Sequence, residues 1–176
     1  MALLDLRIEP DSILHDKAKR IKTFDGNLRK LVADMFETMH TNTGVGLAAP
    51  QIGYSIRLLV AELEADKREG ERGFKVALCN PEIVKASDEM VTGPEGCLSI
   101  PGWVGDVPRH ASVTVKGQTP EGREVRIKAQ DYYARVLQHE IDHLNGVLFT
   151  ERVVDLSSLR RVTAEQEDEM PELLEA

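Results

Sequence analysis

Between residues 25 and 40 the apolar positions recur three and four apart. Leu28, Leu31, Val32, Met35, Phe36 and Met39 form one stripe, which is the spacing of an amphipathic helix packed on a core. Asp25 stands just before the stripe and is its predicted N-cap. A second helical period runs from Asp131 to His143 through Tyr133, Val136, Leu137 and Ile141. Between the two, the segments IRLLVAEL (56–63) and FKVALCNPEIV (74–84) read as strands, the latter as far as its proline. ASVTVKGQ (111–118) and REVRIKAQ (123–130) alternate apolar and polar residues around TPEG, which predicts a β-hairpin. Two stretches break both periods. TNTGVGLAAPQIG (41–53) holds three glycines and one proline and no charge, so it reads as a loop that approaches something closely. GPEGCLSIPGW (93–103) reads as loop around one strand turn. The expected class is α+β, with antiparallel β-sheets packed around a central helix and a second helix near the N-terminus.

Composition narrows the function classes. With 41% apolar and 30% charged residues in 176, the chain reads as an ordinary globular protein. The net charge is −8, which argues against a broad nucleic-acid or anionic-membrane surface. Glu165, Glu167, Asp168, Glu169, Glu172 and Glu175 account for six of those charges. The division expected is therefore a folded domain over 1–164 and a solvated acidic tail over 165–176. No apolar run approaches the ~18–20 residues of a membrane span, and the first residues show no cleavable leader pattern. Cys79 and Cys97 are expected to be free thiols in a reducing compartment. The expectation is a cytoplasmic protein, with a processed organellar form as the alternative.

The sharpest chemical signal is His139–Glu140–Ile141–Asp142–His143. Histidines four apart on a helix are ~40° apart around the axis and ~6 Å along it, so both rings face one metal ion. Glu140, offset by ~100°, still reaches a water on that ion. A catalytic metal site needs a third protein ligand and an open position. Downstream, Glu151 and Asp155 are the acidic candidates. Upstream, the Cys97 thiolate suits a transition metal better. Cys79, inside an apolar strand, reads as core. Three functions remain open on these residues: an amidase, a zinc-type endopeptidase with its third ligand after His143, and a metal-stabilised binding protein without turnover.

Three motifs in order, Gly44-Val45-Gly46-Leu47-Ala48-Ala49-Pro50-Gln51, Glu95-Gly96-Cys97-Leu98-Ser99 and Gln138-His139-Glu140-Ile141-Asp142-His143, resemble the peptide deformylase family over about residues 3–153. The resemblance implies an α+β fold built on a metal-binding helix. It implies removal of the N-formyl group from the formylmethionine of nascent polypeptides, with release of formate. Cys97, His139 and His143 would hold one divalent ion, typically Fe²⁺, with Zn²⁺, Ni²⁺ or Co²⁺ able to replace it. Hydroxide generated at that ion would attack the formyl carbon, with Glu140 as general acid and base. Gln51 and the Leu98 N–H would hold the formyl oxygen, and Gly46 would let the peptide backbone approach. Glu95 and Arg109 resemble a structural ion pair beneath the site. Val45, Tyr132 and Val136 flank the motifs and are candidates for the methionine pocket, with core packing as the alternative. Partners implied are N-formylmethionyl nascent peptides at the ribosome, with no direct nucleic-acid or membrane contact. Some relatives carry an arginine where Val104 stands, and family members that dock on the ribosome often end in a basic helix. This chain ends in EQEDEMPELLEA.

Overall fold

The computed structural model describes residues 2–64 and 73–163; the acidic tail over 165–176 lies outside them. Helix α1 spans Gly26–Thr41, and Asp25 caps it by accepting the Leu28 N–H. Among the described residues the strands are β1 Gly46–Ala48, β2 Leu58–Leu63, β3 Phe74–Ala86, β4 Met90–Cys97, β5 Ile100–His110, β6 Ser112–Gln118, β7 Glu124–Gln130 and β8 Arg160–Arg161. Helix α2, Asp131–Leu144, comes between β7 and β8. The strands make a five-stranded sheet in the order β1-β2-β3-β6-β7 and a three-stranded sheet β4-β5-β8. Every strand pairing is antiparallel, so the α+β class is as expected. No helix among the described residues is long and apolar enough to cross a membrane.

Two apolar clusters carry the fold. Met35, Met39 and Leu28 of α1 pack with Leu47, Ile52, Leu58 and Val60. Ala134, Leu137, Ile141 and Leu144 of α2 pack on Leu59, Leu78, Val113 and Val115 of the large sheet. Burying a leucine side chain contributes about 1.5–3 kcal/mol, so these two rows fix both helices against the sheet.

Three local readings change. Gly46–Ala48 is a short strand on the edge of the large sheet, not loop, because its extended backbone pairs with Leu59–Ala61. β3 continues through Pro81: the pairing with β6 shifts register between Cys79 and Glu82, and a bulge tolerates a residue without an N–H. The stretch from Gly93 to Trp103 is a β-hairpin, not a loop around one turn. Its prolines and glycines fit because β4 is an edge strand and the β4–β5 register shifts between Gly96 and Cys97.

After α2 the chain turns at Gly146, whose φ is +73°. A Cβ there would collide with the His15 carbonyl oxygen and come within 2.6 Å of the His15 carbonyl carbon. Gly146→Ala is expected to cost about 3 kcal/mol from backbone strain and displacement, a fall of roughly 6–12 °C in melting temperature. Gly26→Ala is the control: its Cβ would meet nothing nearer than an Arg29 nitrogen at 3.9 Å, and its melting temperature should hold or rise. Equal thermal scans for the two would refute the placement of this turn.

Candidate active site

Helix α2 is buried on nearly every side and yet carries Arg135, Gln138, Glu140, Asp142 and His143 among its buried residues. Such groups need partners. Gln138 has them: its amide donates to the His110 carbonyl at 2.9 Å and its oxygen accepts the His110 N–H at 3.1 Å. Asp142 accepts from Arg109 at 2.6 Å and from Arg152 at 2.9 and 3.1 Å. Oε2 of Glu140 and Nδ1 of His143 are buried with no hydrogen-bond partner. Both belong to the motif singled out in the sequence.

Cys97, at the end of β4, comes to this face of the helix. Its Sγ lies 3.2 Å from Nε2 of His143. The sulfur and one ring nitrogen from each of His139 and His143 all lie within 4.8 Å of one another. Nδ1 of His139 is 2.9 Å from Oε2 of Glu95, which leaves Nε2 as the free ring nitrogen. One thiol and two imidazoles, one of them backed by a carboxylate, make a donor set that fits a divalent transition-metal ion. The downstream acidic candidates are engaged elsewhere. Glu151 accepts the Leu148 N–H and Asp155 accepts the Ser157 N–H, so each closes a local turn. Cys79 and Cys97 are both free thiols. Cys79 is fully buried, and burial pushes its thiol up to about 11.

The electrostatics follow from burial and pairing. Burial alone would raise Glu95, but hydrogen bonds from His139 and Arg109 hold its carboxyl at about 2. The ion pair with Arg109 is formed, at 2.8 and 3.0 Å. Burial works against a charge on His139, yet its contacts with Cys97 and Glu95 raise it above the usual histidine range. Burial and the neighbouring His139 lower His143, which leaves it a neutral imidazole. Burial pushes Glu140 up to about 7; a cation beside it would draw the carboxyl back down.

A cavity of about 520 Å³ opens onto this cluster. Gln51 sits 1% exposed at its inner end. Its oxygen accepts the Ala48 N–H at 2.8 Å, which braces the loop, and its amide nitrogen lies 3.5 Å from the Cys97 sulfur. The bracing bond thereby aims the donor end at the cluster. Val45, Leu98, Tyr132 and Val136 line the same cavity, so the structure brings those four to the site as well. Gly46 lines it too, but what presses on its α-carbon is the Glu140 side chain: a Cβ at 46 would meet Oε1 and come within 2.8 Å of Cδ. Val104 is 2% exposed on β5 and faces inward.

Sequence reading passed over Arg135, Asp142 and Arg152, all of which brace the cluster, and Trp103, which lines the cavity. Only Asp142 carried a signal, as the fourth residue of the histidine motif.

The stretch that carries these residues is matched by known proteins. The polypeptide deformylase family matches residues 4–159. A peptide deformylase of Thermomicrobium roseum is 49% identical over 169 residues, 96% of each chain. A peptide deformylase of Synechococcus elongatus, solved in complex with actinonin, superposes with a TM-score of 0.81 at 40% identity, covering 88% of this chain and 81% of that one. A Met-Ala-Ser-bound peptide deformylase of Acinetobacter baumannii gives 0.81 at 37% identity, covering 86% of this chain and 99% of that one.

Proposed function

The chain belongs to the polypeptide deformylase family, metal-dependent hydrolases that remove the N-formyl group from nascent polypeptides, and on that premise we propose how its own residues divide the work. Cys97, His139 and His143 hold the metal. Fe²⁺ is the proposed native ion, and Zn²⁺, Ni²⁺ or Co²⁺ suit the same donors. A divalent cation held there supplies Lewis acidity, lowering the pKa of a water toward neutrality and polarising a carbonyl. Glu140 takes the proton released as the formyl carbon is attacked and passes it to the departing amine. The unpartnered Oε2 supports this, because nothing else competes for the proton.

Gln51 donates from Nε2 to the formyl oxygen as negative charge develops there, together with the Leu98 N–H. One such donor is worth roughly 2.7–4 kcal/mol. A neutral amide does this without adding a second positive charge beside the metal. Gly46, at the cavity wall, leaves room beside its α-carbon for the Glu140 side chain. Val45, Tyr132 and Val136 receive the methionine side chain; Tyr132 and Val136 stand one helical turn apart on α2, on the His139–Glu140 side. The Met-Ala-Ser tripeptide of the Acinetobacter protein is the kind of product such a cavity would release. The proposed setting is the cytoplasm, on nascent chains at the ribosome.

The observation that carries this reading is the convergence of one sulfur and two ring nitrogens within 4.8 Å, beside a buried carboxyl. The test is metal analysis of the purified chain with a formate-release assay on formyl-Met-Ala-Ser. About one ion per chain and formate release are expected. Anaerobic Fe²⁺ should restore the stripped protein better than Zn²⁺, and air should inactivate the iron form, because ion and thiolate are both oxidisable. Failure of all four ions to support formate release would sink the assignment of residues. Equal rates with Fe²⁺ and Zn²⁺ would sink the choice of iron.

A further inference from the structure

We propose that Arg135 is a positioning residue that sets the separation between the thiol-bearing strand and the histidine-bearing helix. The proposal rests on the ligand assignment above. Cys97 arrives on β4 and the two histidines on α2, so the trio forms only if strand and helix are held at one distance.

The row of contacts shows what holds them. Nη2 of Arg135 donates to the Val91 carbonyl at 2.7 Å. Nη1 lies 3.3 Å from the Gly93 carbonyl and 2.9 Å from Oε1 of Glu95. Those are alternate residues of β4, and alternate residues of a strand share a side. The next member of the row is Cys97. Nη1 also reaches the Val107 carbonyl of β5 at 2.8 Å, so both strands of the hairpin are tied to the helix. The guanidinium lies over the face of the hairpin: a Cβ on Gly93 would come within 3.2 Å of Nη2.

On the helix, Arg135 stands one turn before His139, on the same face. The two meet on one carboxylate. Oε1 of Glu95 accepts from Arg109 and Arg135, and Oε2 accepts from Arg109 and His139. Four donors fill a carboxylate. The charges also balance: Glu95 and Asp142 face Arg109 and Arg135 in the buried set, with half-exposed Arg152 closing the outer side of Asp142. Removing Arg135 leaves Glu95 and Asp142 to share one buried guanidinium and frees the strand row that ends in the sulfur. Asp142 and Arg109 still hold the far end, so the helix keeps its place while the β4 side loosens.

Arg135 also lines the cavity, and its methylene stem remains in Arg135→Met. That separates wall from strut. In the Co²⁺-loaded enzyme, release of cobalt to a chelator can be followed by loss of the thiolate-to-cobalt absorption. Arg135→Met is expected to release the ion 10–100-fold faster than the wild type, the range for loss of an outer partner of a metal ligand. Its kcat should fall by a similar factor, with KM within about threefold because the wall is intact. The Nδ1–H resonance of His139 should move. Arg135→Lys, which keeps the charge but fewer donors, should fall between the two. Release from Arg135→Met within twofold of wild type, with the resonance unmoved, would overturn the proposal. If Arg135→Met does not fold, Arg135→Lys decides, supporting the proposal at threefold or more and overturning it below that. A wild type that takes up no Co²⁺ would fail the ligand assignment instead.

Discussion

Cys97→Ala is expected to yield a folded chain that retains almost no metal and releases no measurable formate. The fold should survive because Cys97 is half-buried at a strand end and belongs to neither apolar cluster. What the substitution removes is the sulfur near His143 that also accepts the Ser99 N–H at 3.4 Å. A four-ligand zinc site binds with ~10–16 kcal/mol, so one ligand in four is worth about 2.5–4 kcal/mol, or ~10²–10³-fold in affinity. Metal analysis after gel filtration, beside a thermal scan, checks it. Full occupancy with wild-type formate release would remove Cys97 from the centre of the site and reopen the search for a third ligand.

Glu140→Gln is expected to do the opposite: keep the metal and lose the reaction. Glutamine is nearly isosteric, so it fits the space against Gly46 that Glu140 fills. It cannot take a proton from water and return it to an amine, a service worth ~10²–10⁴-fold in rate. The fall should lie in kcat, with KM changed only a few-fold, because Glu140 is assigned no part in holding the peptide. Steady-state kinetics on formyl-Met-Ala-Ser with metal content measured on the same sample separates the two variants. If Glu140→Gln turned over at the wild-type rate, the proton carrier would have to be another group.

The helix that carries the chemistry was legible because its signal is local. Two histidines and a glutamate in one turn declare their own geometry once the period around them is helical. The hairpin that delivers Cys97 was not, because its glycines and prolines look like loop residues. They are tolerated on an edge strand and at a register shift, and neither property is visible without the partner strand. The same holds for Gly46–Ala48, three residues made a strand only by pairing with β2. Gln51 could be read two ways from its loop position, as brace or as donor. The structure has its oxygen bracing the loop and its nitrogen facing the sulfur. Arg135 gave no signal at all, since its acceptors lie 28–44 residues away on two strands.

The close seating of Glu140 on a bare α-carbon at position 46 ties together two stretches of chain far apart in the gene. Neither can drift alone. An enzyme under pressure from an inhibitor that leans on that strand could not escape by growing a methyl group there, since the newcomer would evict the carboxylate it depends on. Resistance would have to arise at the outer rim of the cleft, where bulk can change without touching the proton's route.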